Sequence, residues 1–299
     1  MSAASPEVRV EARPGGICAA CFAAMASPCE VLVAGGDAAT AAEIGRRAAA
    51  EAGRIEAKYS RYREDSVLAA LNRSGGQALE VDSETGLLLD FAAHCHELSG
   101  GLFDITSGVL RRAWRFDGSD RIPTREAVAA LLPLVGFKRL RWQRPLLTVP
   151  AGMELDFGGI AKEYAVDRVL LSLAAQFDLP LLVNFGGDLC CNRPPPSAPW
   201  QVGVERPDAL GEPAMILELS QGALATSGDT RRFLLRDGVR YSHILDPTTG
   251  WPVPDAPRSV TVAAASCVEA GMLATMALLR GGGAKAFLDA AGARYWIAQ

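Results

Sequence analysis

Apolar and polar positions along this chain form two kinds of run, which interleave without a fixed period. Alternation marks strands. Phe22 to Ala34 (FAAMASPCEVLVA) is rich in β-favouring residues and reads as a strand with a break near Pro28, and the apolar run Ile17 to Ala26 opens the same region. Spacings of three and four mark helices at Ala38 to Lys58, at Val67 to Asn72 behind the capping pair Asp65-Ser66, and at Ser83 to Ser99, closed by Gly100-Gly101. Further helices are predicted from Thr124 to Leu132, from Ser266 to Arg280 and from Lys285 to Ala290. A hairpin turns at Arg144-Pro145 within Leu140 to Val149. Pro180 to Leu189 reads as one buried strand, and Trp200 to Val204, Met215 to Leu219, Phe233 to Leu235 and Ser259 to Ala263 as others. Strands and helices mix without a βαβ rhythm, so the pattern predicts an α+β fold. One domain is expected over residues 17–299, behind a polar lead (residues 1–16, with Pro6 and Pro14) that is expected to be disordered.

Composition narrows the function. A chain of 299 residues can bury a large core, and its net charge of −4 without a basic cluster argues against nucleic acid. No apolar run reaches the ~20 residues of a membrane-spanning helix. The lead lacks a basic head followed by an apolar segment, so it does not read as a secretory signal. Seven cysteines at irregular spacing, including a lone Cys18-x-x-Cys21 and the adjacent Cys190-Cys191, form no disulfide framework and no zinc pattern. A reducing, cytoplasmic location is the expectation.

Candidate chemistry gathers around three glycine pairs, each beside an acid: Gly100-Gly101 before Asp104, Gly158-Gly159 after Asp156, and Gly186-Gly187 before Asp188. In LDFGGIAKEYAVD (Leu155 to Asp167) the glycines fall where a strand turns into a helix, with Asp156 on one side and Lys162 on the other. Exposed amides, an acid and a lysine at a helix start suit a phosphorylated ligand. The same pattern also serves as a plain tight connection, and turn acids often bind only their own backbone. His94 and His96 lie in a helix without acidic partners nearby and read as structural. His243, beside the polar loop of Asp246 and Thr249, is a candidate for proton transfer, because imidazole titrates near neutrality.

Seven segments in order carry a resemblance: FAAMAS, YSRYREDSVLAALNRSGG, GGLFDITSGVL, LDFGGIAKEYAVD, LLVNFGGDL, ALATSGDTRRFLLRDGVRYSHILDPTTGWPV and SVTVAAASCVEAGMLATMALL. Together they resemble the ApbE family, flavin transferases that move FMN from FAD onto a protein threonine. The resemblance implies a T-fold-like α+β architecture, FAD and Mg2+ as ligands, and an acceptor flavoprotein as partner. It implies Met25 and Tyr62 as flavin contacts, Leu102, Phe103 and Asp104 in a second FAD-binding segment, Asp156 and Lys162 flanking the nucleotide, and Ile244 on the FAD. The carbonyl of Gly159 would face the metal.

The family places its metal-binding acid and threonine one helical turn apart, at positions that fall here on Gly271 and Thr275. Gly271 has no side chain, and Glu269, two residues earlier, is turned roughly 200° away on a helix. A weakened site of Thr275, a backbone carbonyl, phosphate and water is one expectation, and an acid from elsewhere, such as Asp229 or Asp246, is another. Milder departures are Ala26-Ser27 for the family's Gly-Thr, Ile105 for proline and Glu163 for glycine. Family members also usually carry an export or lipoprotein signal. The departure at Gly271 leaves an FAD-binding protein that has lost transfer as one alternative, and the same site with water as acceptor leaves an FAD pyrophosphatase as another.

Overall fold

The computed structural model describes residues 7–299. The chain runs through β1 (Arg9–Arg13), β2 (Ile17–Ala24), β3 (Ser27–Ala34), α1 (Ala38–Tyr59), α2 (Val67–Asn72), β4 (Ala78–Glu80), α3 (Ser83–Leu98), a 3-10 helix (Ile105–Arg112) and α4 (Arg125–Ala129). It continues through β5 (Arg141–Gln143), β6 (Leu146–Thr148), α5 (Ala161–Ala174), β7 (Leu181–Phe185), β8 (Asp188–Cys191), β9 (Trp200–Arg206), β10 (Ala209–Leu219) and β11 (Gly222–Gly228). The last elements are β12 (Phe233–Arg236), β13 (Val239–Ser242), β14 (Ser259–Ala264), α6 (Cys267–Leu279), α7 (Ala284–Ala290) and β15 (Arg294–Ala298).

An eight-stranded antiparallel sheet, in the order β1-β2-β3-β7-β8-β11-β14-β15, forms the centre. Helices α1, α5 and α6 pack side by side on one face, α1 over β2 and β3, α5 over β7 and β8, and α6 over β11 and β14. The main core lies between these layers, with Ile44, Ile55, Val166, Val183 and Phe185 all buried. A smaller cluster on the other face joins Leu182, Leu189 and Leu224 to Trp200 and Leu219 of the β9–β10 hairpin. The architecture is α+β, as the irregular mixture of runs predicts. Among the described residues no helix is long and apolar enough to cross a membrane, and all seven cysteines are free thiols.

Five features depart from the sequence reading. Residues 1–6 of the expected disordered lead lie outside the described residues, but Arg9–Arg13 is an edge strand paired with β2. Its charged side chains suit an edge, where they discourage further pairing, and in sequence they look like a polar tail. The break in the first strand falls at Met25-Ala26, not Pro28. Both residues have positive φ (54° and 55°) between paired Ala24 and Ser27, as in a two-residue type I′ hairpin. Pro180 to Leu189 is a hairpin, with Gly186-Gly187 turning β7 into β8. β7 is buried on both faces apart from Asn184, and the equally buried β8 continues the apolar run beyond the Gly186-Gly187 turn. Finally, β11 lies inside the sheet although GALATSG contains only one large apolar residue, and β15, the opposite edge strand, follows the Gly292 turn (φ 62°) where the sequence reading places no strand.

Candidate functional site

A cleft of about 2110 Å³ is bordered by residues from most of the chain's length. Met25, Tyr62, Leu102, Phe103, Asp104, Asp156, Gly159, Lys162, His243, Ile244 and Thr275 all line it. Met25 projects from the I′ turn, which its N–H anchors to Glu56 Oε2 at 2.9 Å. Tyr62 is 74% exposed and lies beneath the Arg61 guanidinium, whose centre is 4.9 Å from the ring centroid, so one large aromatic surface remains open to a ligand.

The Gly158-Gly159 turn leads directly into α5, which has no side-chain N-cap. Leu155 to Phe157 is extended chain without strand pairing, held by mutual hydrogen bonds between Leu155 and Asn72. A Cβ at Gly159 would lie 3.4 Å from the Phe103 ring, an ordinary contact, so Phe103 borders this turn closely without excluding a side chain. Asp156 accepts from the Gly158 N–H at 2.8 Å through Oδ1 and pairs with Arg61 through Oδ2. Lys162 Nζ lies 2.6 Å from Asp188 Oδ2. Burial works against the Lys162 charge, but Asp188 and Glu163 outweigh it and raise the pKa above that of an ordinary lysine.

Glu163, the third residue of α5, is buried, and Oε2 lacks a hydrogen-bond partner. Burial, reinforced by Asp188, pushes its pKa up to about 7. On the neighbouring helix α6, Thr275 Oγ1 is 2.8 Å from Ser227 Oγ. Among the described residues no group of three His, Cys, Asp or Glu side chains is arranged to hold a metal.

His243 Nδ1 is 2.9 Å from the Arg232 carbonyl oxygen. A carbonyl can only accept, so Nδ1 carries the proton and Nε2 of the neutral ring holds a free lone pair. Burial, then the Arg232 charge, lower the imidazole pKa to about 4, so it is neutral at pH 7. Asp104 differs from its neighbours. Its Oδ1 accepts from Thr106 N (2.8 Å) and Thr106 Oγ1 (2.6 Å), and its Oδ2 accepts from Phe137 N (2.8 Å). The carboxylate therefore braces the cleft wall and leaves little capacity for a ligand.

The ApbE family model matches residues 25–295. This chain belongs to the ApbE family. It is 32% identical over 247 residues to the FAD:protein FMN transferase of Treponema pallidum, covering 76% of this chain and 68% of that protein. It is 33% identical over 237 residues to the protein of that name from Vibrio cholerae, covering 76% and 70%. The crystal structure of the ApbE protein from Thermotoga maritima superposes with a TM-score of 0.84 at 30% identity, covering 98% of this chain and 94% of that one. The apo form of the Pseudomonas stutzeri flavinyl transferase ApbE gives 0.81 at 28% identity, covering 99% and 92%.

Within this ApbE cleft, sequence reasoning did not single out Arg61, Arg232, Ser227 or a role for Glu163. They lie inside the segments that carry the resemblance, but their partners come from other elements, so the sequence does not show which groups they meet. Neither Asp229 nor Asp246 is among the residues that line the cleft. Asp229 is bound by Arg240 and Arg258 at 2.8 and 2.9 Å, and Asp246 caps its own loop through Thr248. His96, read as structural, does meet an acid in space: its Nδ1 lies 3.1 Å from the Phe103 carbonyl and 3.9 Å from Asp104.

Proposed function

We propose that this chain is an FAD:protein FMN transferase, moving FMN from FAD onto a threonine hydroxyl of a partner flavoprotein. The observation that carries the reading is the convergence of Tyr62, Asp156, Lys162, His243 and Thr275 on one cleft of a size that admits a dinucleotide. The flavin ring would stack against Tyr62 and Met25. The pyrophosphate would lie over the Gly158-Gly159 turn, near the uncapped amides of α5 and the Lys162 ammonium.

The threonine hydroxyl oxygen attacks the FMN-side phosphorus. The bond from that phosphorus to the bridging oxygen breaks, and AMP leaves with the electron pair. The hydroxyl proton passes to His243 Nε2, whose basicity rises when the FAD phosphates bring negative charge close. Lys162 and Arg61 supply positive charge where negative charge develops, the main source of rate in phosphoryl transfer. A magnesium ion, when bound, supplies further neutralisation of the pyrophosphate oxygens. The residues fit such an ion: Thr275 Oγ1 and the Gly159 carbonyl are hard oxygen donors, and the buried Glu163 Oε2 is unpartnered.

The test is incubation with FAD, magnesium and an acceptor domain, scored for covalent flavin fluorescence and AMP. Covalent flavin that disappears with chelator is the expected result. FAD binding without cleavage would make the chain a flavin binder that has lost transfer. AMP and free FMN without covalent flavin would make water the acceptor.

A further inference from the structure

Gly271 and Glu163 face each other across the packed helices α6 and α5. A Cβ built on Gly271 falls 2.6 Å from Glu163 Cγ, 3.0 Å from Oε1 and 3.1 Å from Cδ. The Glu163 side chain therefore fills the volume into which a side chain at position 271 would project. Its setting is costly for a carboxylate: Glu163 is 6% exposed, and Oε2 accepts no hydrogen bond. The adjacent cation, Lys162, is already paired with Asp188, so two buried acids share one ammonium. A buried acid oxygen without a donor is costly, and packing alone does not justify one.

We propose that Glu163 is the anionic ligand of a divalent cation in the cleft, delivered from α5 in place of the missing side chain at Gly271, with Thr275 Oγ1 and the Gly159 carbonyl as companions. The assignment rests on the flavin-transferase reading above. Thr275 stands one helical turn after Gly271, so its hydroxyl and the Glu163 carboxyl group approach the same region from two helices. Three hard oxygen donors, with water and phosphate completing the shell, match what magnesium prefers. The two departures from the family pattern, glycine at 271 and glutamate at 163, then become one: an acid and a glycine have exchanged helices. The 2.6 Å approach makes the arrangements mutually exclusive, because an acid at 271 needs the space that Glu163 occupies.

Mn2+ serves as the probe, titrated into the full chain with and without FAD and followed by electron paramagnetic resonance and thermal unfolding. Glu163→Gln keeps the shape and removes the charge. It is expected to weaken Mn2+ binding tenfold or more, while unfolding without metal at or above the wild-type temperature, since Glu163 and Asp188 no longer compete for Lys162. The double variant Glu163→Gly/Gly271→Asp is expected to regain Mn2+ binding. Unchanged Mn2+ affinity in Glu163→Gln overturns the assignment, whether or not FMN is transferred. Glu163-dependent Mn2+ binding in a protein that neither binds nor cleaves FAD supports the assignment and overturns the functional reading instead.

Discussion

The Lys162 ammonium lies 2.6 Å from the Asp188 carboxylate, tying the first turn of α5 to the first residue of β8. The contact joins two glycine-pair turns that are far apart in sequence. Asp188 is 2% exposed and also accepts from the Thr226 N–H at 3.1 Å, so it serves three elements at once. Asp188→Ala leaves the half-buried Lys162 ammonium with only Glu163 nearby and strands the Thr226 backbone donor, and should cost about 1–3 kcal/mol. Asp188→Asn keeps an acceptor and should cost less. Urea unfolding midpoints measure both, and equal midpoints for Asp188→Ala and wild type would show the pair to be dispensable.

Introducing an acid at position 271 should harm this protein. Gly271→Asp places a Cβ and a second charge against Glu163, and overpacking alone costs about 1–3 kcal/mol. Glu163→Gly in the same chain removes the clash, so the two substitutions should be strongly non-additive. A double-mutant cycle of unfolding free energies in chelator measures the coupling. Additive effects would contradict the contact.

The pH dependence of stability should carry a His243 contribution. Its pKa is lowered from 6.5 to about 4, first by burial and then by Arg232, with Arg61 adding to this and the Arg232 carbonyl and Asp229 opposing it. As pH falls, the unfolded chain takes up this proton near 6.5 and the folded chain only near 4. The contribution is therefore complete above 6.5 and lost between 6.5 and about 4. Over that window wild type should lose stability faster than His243→Gln. Parallel curves would show that His243 does not titrate in this way.

At the β2–β3 turn, Ala26 has φ 55°, a conformation that disfavours any residue with a Cβ. Ala26→Gly should stabilise the fold by about 0.5–1 kcal/mol, because the I′ geometry suits glycine at the second loop position. A fall in thermal unfolding temperature would mean that the alanine methyl group makes packing contacts that outweigh the backbone strain.

Local signals made much of this molecule legible. Ser66 caps α2 by accepting from Ala69 N at 2.9 Å, and Gly100-Gly101, both at positive φ, follow the end of α3, each signal lying within a few residues of what it ends or starts. The eleven residues named for the site also meet in one cleft, since they lie in segments whose order and wording resemble the ApbE pattern.

What the sequence by itself determined was the class of each well-capped helix, the α+β mixture and the family, because these depend on spacing and short-range hydrogen bonds. Tertiary structure alone decided the rest. The polar β1 is a strand only because β2 offers it an edge, and the small residues of β11 are central only because β8 and β14 flank them. Lys162 finds Asp188, Arg61 finds Asp156, and Glu163 fills the space at Gly271 across separations of 26, 95 and 108 residues. Coulomb attraction, desolvation and steric exclusion act over a few ångströms of space, whatever the distance along the chain, so no local pattern encodes which partners they bring together.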